Sequence, residues 1–162
     1  MSNEYLDWLN DLRDAPEGTP DHNHWLCLMF PWLYPYNKIT EDFSSNYNYE
    51  YTLLDDMPDG WRKAFGEQMC FEIAEVLEKT KDENFEYRIL QIKEKWGTLR
   101  WYDNSVPDDI RDELKSVIQK YEDLSEKTCI NCGASAKWRT TNWISPWCDK
   151  CVCDINDTIK KI

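Results

Sequence analysis

Two cysteine pairs constrain this chain more than any other feature. Cys129 and Cys132 are separated by two residues, Cys148 and Cys151 repeat the spacing, and fifteen residues lie between the pairs. C-x2-C-x15-C-x2-C is a zinc-site pattern. A two-residue gap lets a tight turn aim two thiolates at one ion, and two such turns complete a tetrahedron. The pattern predicts a structural zinc ion on Cys129, Cys132, Cys148 and Cys151. Its coordination would be closed to substrate, and its binding free energy would be folding free energy. Gly133 follows the first pair, as suits a turn that needs positive φ. Cys153 is the surplus thiol; exchanging it for Cys151 gives a less economical C-x4-C second pair. Cys27 and Cys70 sit in apolar surroundings and read as core residues.

Clustered cysteines read as metal ligands only where disulfides do not persist. The first residues, "MSNEYLDWLNDLRD", lack the basic start and apolar stretch of a secretory leader. The longest apolar run, "WLCLMFPWLYPY", is broken by Pro31 and Pro35 and is too short for a membrane span. A cytoplasmic protein without a membrane segment is therefore expected. The formal net charge is −12 over 162 residues, and it is uneven. Residues 1–60 carry 12 acidic against 2 basic side chains, whereas residues 129–162 carry 3 against 5. An acidic field of this kind repels free nucleic acid and favours basic partners, though it also serves solubility alone.

The rest of the chain supplies a core. "EYLDWLNDLRD" places Tyr5, Leu9 and Leu12 on one helical face, and "APEGTPDHNH" ends that helix. "WLCLMF" reads as a strand or a buried turn. Tyr47, Tyr49 and Tyr51 alternate with Asn48 and Glu50, which suggests a short strand. Trp61, Phe65, Met69, Ile73 and Leu77 recur every four residues, a helix packed on a core, with Asp59 able to cap its start. "FEYRILQIKEKWGTLRWYDN" reads as a hairpin with its turn at "EKWGT". Tyr87 and Ile89 are expected on one face, Leu90 and Ile92 on the other. Ile110, Leu114, Val117, Tyr121 and Leu124 mark a last helix, with Pro107 in its first turn and Asp108 and Asp109 complementing its dipole. "DINDTIKKI" reads as a tail or short helix.

No phosphate-binding glycine loop, G-x-S-x-G or H-E-x-x-H occurs, and "SPWCDKC" lacks the H-x-E half of a zinc deaminase. His22 and His24, in "DHNHWLC", read as surface residues of a loop. The mixture of Lys93, Lys95, Trp96, Arg100, Trp101 and Tyr102 with Lys137, Trp138, Arg139, Trp143 and Trp147 has two readings. One is a grip on single-stranded nucleic acid. The other is simple alternation, with Leu99 and Trp101 in the core, Arg100 and Tyr102 in solvent, and the ribbon tryptophans covering its small interior.

"MPDGWRKAFGEQMC", "RILQIKEKWGTLRWYDN", "YEDLSEKTCINCGASA" and "TTNWISPWCDKC", in that order, resemble a family of small phage and prophage proteins. The likeness spans about residues 25–153, with "FPWLYP" matching a looser upstream part. Asn142 stands where that family usually has Gly, and Cys153 is an extra cysteine. The resemblance implies the fold and the four ligands Cys129, Cys132, Cys148 and Cys151, and it carries no function with it.

The expected fold is α+β: a small antiparallel sheet built on the hairpin, flanking helices, and a C-terminal four-cysteine zinc ribbon or knuckle. The expected organisation is an acidic domain over residues 1–128, the metal module over 129–153 and a tail over 154–162. The expected function is that of a non-enzymatic binding protein that inhibits or modulates a host nucleic-acid machine or defence complex. Its partner would carry a basic surface, met by Tyr47, Tyr49, Tyr51, Asp55, Asp56 and Asp59. The alternative is an accessory protein that binds single strands through the hairpin and ribbon.

Overall fold

The computed structural model describes residues 3–37, 42–43 and 47–162. The architecture is α+β, with small antiparallel sheets, and the chain divides into two units, residues 1–53 and 54–162.

In the first unit, α1 (Asn3–Asp14) packs on α2 (Pro20–Met29). The stretch expected to be a strand or buried turn is thus a helix. Thr19 caps α2 with its side-chain oxygen toward the His22 N–H, and Pro20 occupies the first turn, where its missing N–H costs nothing. Trp25, Leu26, Cys27 and Phe30 are buried. His22 and His24 therefore belong to a helix and not to a loop. His22 is buried with Nδ1 3.1 Å from the Arg13 carbonyl. His24 stacks on Tyr49 at 4.1 Å. A short pairing of β1 (Tyr36–Asn37) with β2 (Asp42–Phe43) completes this unit's regular structure.

The second unit is built around a helical run in three pieces: α3 (Asp59–Trp61), a π-helical turn (Arg62–Gly66) and α4 (Glu67–Leu77). The four-residue spacing holds: Trp61, Phe65, Met69 and Ile73 are all buried. The N-cap is Pro58, with no side-chain hydrogen bond, so Asp59 does not cap. α5 (Asp108–Ser125) packs against α4 through Ile110, Leu114 and Tyr121. Leu124, expected in its apolar stripe, is exposed, and Ser125 is buried in that turn instead.

The hairpin forms from β3 (Ile89–Lys95) and β4 (Thr98–Asp103). Trp96 and Gly97 both have positive φ, 55° and 77°, the mark of a two-residue type I′ turn. A bulge between Ile89 and Gln91 shifts the register. It resets the alternation, so Ile89 and Ile92 both face the core and Leu90 is exposed, contrary to the expected faces. Leu99 and Trp101 are buried, as alternation requires. The outer edge of β4 is covered by α5: the Leu99 N–H donates to Ser125 Oγ (2.8 Å) and the Trp101 N–H to Glu122 Oε1 (3.3 Å). That edge is closed to further strands.

The C-terminal ribbon has β5 (Trp138–Thr140) between β6 (Pro146–Trp147) and β7 (Ile159–Lys161). Residues 154–162 therefore do not trail as a tail or a helix. Their last residues form a strand paired Trp138 to Lys161 and Thr140 to Ile159.

Candidate metal centre

Two backbone turns build the centre. In the first, the Cys129 N–H donates to the Ala134 carbonyl (2.7 Å) and the Gly133 N–H to the Cys129 carbonyl (3.0 Å). Gly133 has φ +81°, a conformation that side chains rarely adopt. In the second, the Val152 N–H donates to the Cys148 carbonyl (3.0 Å), and the Cys151 N–H points at Cys148 Sγ (3.4 Å). The four Sγ atoms of Cys129, Cys132, Cys148 and Cys151 all lie within 4.8 Å of one another, positioned to bind one metal ion. Cys129 and Cys148 are buried; Cys132 and Cys151 are half-buried. Cys153 stands outside this set, exposed, its thiol donating to the Asp149 carbonyl.

Electrostatics around the cluster suit a cation. The Cys148 thiol is pulled down to about 7, first by the Cys151 backbone N–H and further by hydrogen bonds with its neighbours, against burial. At Cys151 the Asn131 side-chain amide lowers the thiol, but burial and hydrogen bonds to the other three thiols outweigh it and push the group up to about 12. Four thiols this close cannot all ionise unaided; a cation bound among them would take the place of protons. Asn131, which holds Cys151 Sγ at 3.4 Å, carries no motif signal and is missed by spacing alone.

The first cysteine turn is seated on α3. The Gly60 N–H donates to the Ile130 carbonyl (2.9 Å), and the fully buried Trp61 donates its Nε1–H to the Thr128 carbonyl (2.9 Å). A Cβ at Gly60 would fall on the Cys129 carbonyl oxygen and within 2.6 Å of the Ile130 carbonyl. One at Gly133 would fall 2.6 Å from the Gly60 carbonyl oxygen. Two glycines 73 positions apart thus let the helix start and the cysteine turn meet backbone to backbone. The Asp-Gly-Trp and Cys-x-x-Cys-Gly segments are two halves of one contact.

The second half of the ribbon is held by side chains. Asp149 accepts from Lys137 Nζ (2.6 Å) and Trp138 Nε1 (2.7 Å). Trp138 and Trp147 are half-buried, consistent with covering the ribbon, whereas Trp143 is 74% exposed. Asn142 donates to Asp157 (2.7 Å), which also accepts the Trp143 N–H (3.2 Å).

The six residues expected at a partner surface are divided between the two units. Tyr47, Tyr49 and Tyr51 lie in the first unit, and Asp55, Asp56 and Asp59 in the second. The tyrosines form no strand: Tyr49 has φ +61°, which breaks the alternation. Tyr47 and Tyr49 are half-buried and pack edge-on to each other (4.7 Å) and to Tyr34 (4.4 and 6.4 Å). Tyr51 is exposed, and its carbonyl accepts from the Tyr47 hydroxyl. Asp55 is half-buried in an ion pair with Arg62 (3.0 Å). Asp56 and Asp59 are exposed. α1, expected as a helix with Tyr5, Leu9 and Leu12 on one face, leaves Tyr5, Leu6 and Trp8 each about two-fifths exposed (43, 43 and 40%), among exposed Glu4, Asp7 and Asp11. Among the described residues, no helix is long and apolar enough to cross a membrane. Compared with protein-family models, curated proteins and solved structures, the chain matches none of them.

Proposed function

We propose that this is a non-enzymatic binding protein that presents an acidic, aromatic surface to a basic partner. The partner class is a host nucleic-acid machine or defence complex, which the protein inhibits or modulates in the manner of anti-CRISPR and anti-restriction proteins. The observation that carries this reading is α1. Twelve residues long, it buries only Leu12, and it sets exposed Tyr5, Leu6 and Trp8 among carboxylates. Aromatic anchors in a charged surround suit an interface, and carboxylates can stand where a basic channel expects phosphates. The contact surface accordingly centres on α1, with Tyr51 as a further candidate, in place of the packed Tyr47 and Tyr49.

The metal in this reading is zinc, held as a staple. A Zn–S bond of about 2.3 Å gives tetrahedral S···S edges of about 3.8 Å. The Cys132–Cys148 separation of 3.6 Å fits that edge. Four thiolates fill a tetrahedral ion, so the centre supplies folding free energy and no reacting position.

The test is affinity capture from host lysate with the intact chain and with Glu4→Lys/Asp7→Lys/Asp11→Lys, followed by a direct binding measurement with the purified partner. A stable partner bound by the intact chain, weakened by salt and lost in the variant, supports the reading. Identical partner sets for both proteins would sink it.

A further inference from the structure

The tips of two turns meet in the second unit. Gly97, in the hairpin turn, is so close to the ribbon that a Cβ there would lie 3.2 Å from the Ile144 carbonyl oxygen and 3.3 Å from Ser145 Cα. Beside this contact opens a cleft of about 390 Å³ lined by Glu94, Lys95, Trp96, Asn142, Trp143 and Ile144. That volume is in the range of ligand sites. Trp96 and Trp143 are the two most exposed large apolar side chains among the described residues, 69% and 74%. Among the described residues, neither indole stacks on another ring. An indole left in water at each of two adjoining tips is unusual in a chain that buries Trp25, Trp61 and Trp101.

The charge beside the cleft contrasts with the acidic first sixty residues. The cross-strand pair Lys93–Arg100 and the pair Lys95–Thr98 share the hairpin face that carries exposed Tyr102. Lys95 Nζ lies 4.9 Å over the Trp96 ring, and Lys93 Nζ 5.3 Å over Tyr102. Among the described residues, neither lysine is ion-paired. Arg100 is 3.9 Å from Glu122 and is partly neutralised. The one carboxylate lining the cleft, Glu94, is turned back on the turn, where it accepts the Gly97 N–H at 2.6 Å.

We propose that these two tips form a second binding site, for single-stranded nucleic acid. Trp96 and Trp143 are its base-stacking platforms, and Lys93 and Lys95 contact phosphates. Lys93 Nζ also donates to Gln91 Oε1 (2.8 Å). Flat apolar rings interleaved with cations that have no carboxylate partner among the described residues match a ligand that alternates π-faces with negative charges. The site is distinct from the acidic surface on α1, and its failure would leave that reading intact.

Fluorescence anisotropy of labelled oligo(dT) and oligo(rU), with the full zinc-loaded chain at about 20 mM salt, tests the proposal. Saturable binding is expected. Trp96→Ala and Trp143→Ala should each weaken it by about fivefold or more, while Trp96→Phe and Trp143→Phe retain most of the affinity. Two phosphate contacts predict a log–log salt slope of about −1.4, nearly abolished in Lys93→Ala/Lys95→Ala. Both tryptophans are exposed, so the alanine variants should keep the circular dichroism and zinc content of the parent. Absence of binding at low salt, or equal affinity of the alanine variants, overturns the proposal. So does a cleft that takes up peptides but no oligonucleotide.

Discussion

Gly60→Ala gives the sharpest test of how the metal centre is joined to the fold. In an exposed helix the change would stabilise by about 1 kcal/mol, because alanine is the better helix former. Here the sign should reverse. The new methyl would strike the Cys129 and Ile130 carbonyls, which are backbone and cannot rotate away. Overpacking of this kind costs about 1–3 kcal/mol. Withdrawal of α3 would also stretch the bonds from Gly60 to Ile130 and from Trp61 to Thr128, each contributing about 1 kcal/mol. A net loss of about 2–4 kcal/mol follows from these terms. With a urea m-value near 2 kcal/mol/M, that lowers the unfolding midpoint by about 1–2 M. Competition with a chelator should show weakened zinc binding as well, since the turn that carries Cys129 and Cys132 is displaced. Gly66→Ala is the control: its Cβ meets the Arg62 side chain at 3.2 Å and Leu54 methyls at 3.5 and 3.6 Å, groups that can give way. A Gly60→Ala protein as stable as the parent, with unchanged zinc affinity, would refute the argument.

Other consequences can be checked by standard means. One zinc per chain is expected by elemental analysis, and Cys129→Ser or Cys148→Ser should lose the ion and destabilise the ribbon, whereas Cys153→Ser should retain both ion and stability. Tyr87 Oη donates to Asp103 and accepts from Trp101 Nε1, both at 2.9 Å, so Tyr87→Phe removes the hydroxyl that accepts this buried indole N–H. A loss of about 1–3 kcal/mol is expected, and Tyr87→Phe/Trp101→Phe should cost less than the sum of the single changes. Glu72 is held below its ordinary value of 4.5, first by Lys120 and also by the Tyr121 hydroxyl, against burial. A lowered carboxylate stabilises above its unfolded value, and that contribution is lost as pH falls through the folded one. Urea midpoints of the parent and Glu72→Gln should therefore differ near pH 6 and converge well below pH 4.5.

What was legible depended on whether the cause was local. The cysteine turns are set by two-residue gaps, the first with a glycine after it, and both stand where the spacing put them. The helix of Trp61, Phe65, Met69 and Ile73 and the hairpin turn at Trp96–Gly97 are equally local. The bulge at Leu90 is not: one extra residue resets the alternation, and nothing in "YRILQI" marks where. α2 was missed because an apolar run has no period to read, although Thr19-Pro20 in front of it is a helix start. Tyr47 to Tyr51 look like a strand until Tyr49 turns left-handed and the rings pack on one another. The seat of the metal turn on Gly60 joins segments about seventy residues apart, and spacing along the chain cannot show it.

The left-handed backbone at Trp96 has a consequence for evolution and engineering. A type I′ turn favours Asn-Gly, and a bulky residue held at positive φ costs about 1–2 kcal/mol. Trp96→Asn should therefore raise the melting temperature while removing the most exposed large apolar side chain of the hairpin. Selection for stability alone would have made that exchange. Keeping tryptophan there trades durability for surface, so a library sorted only for thermostability should lose this residue early.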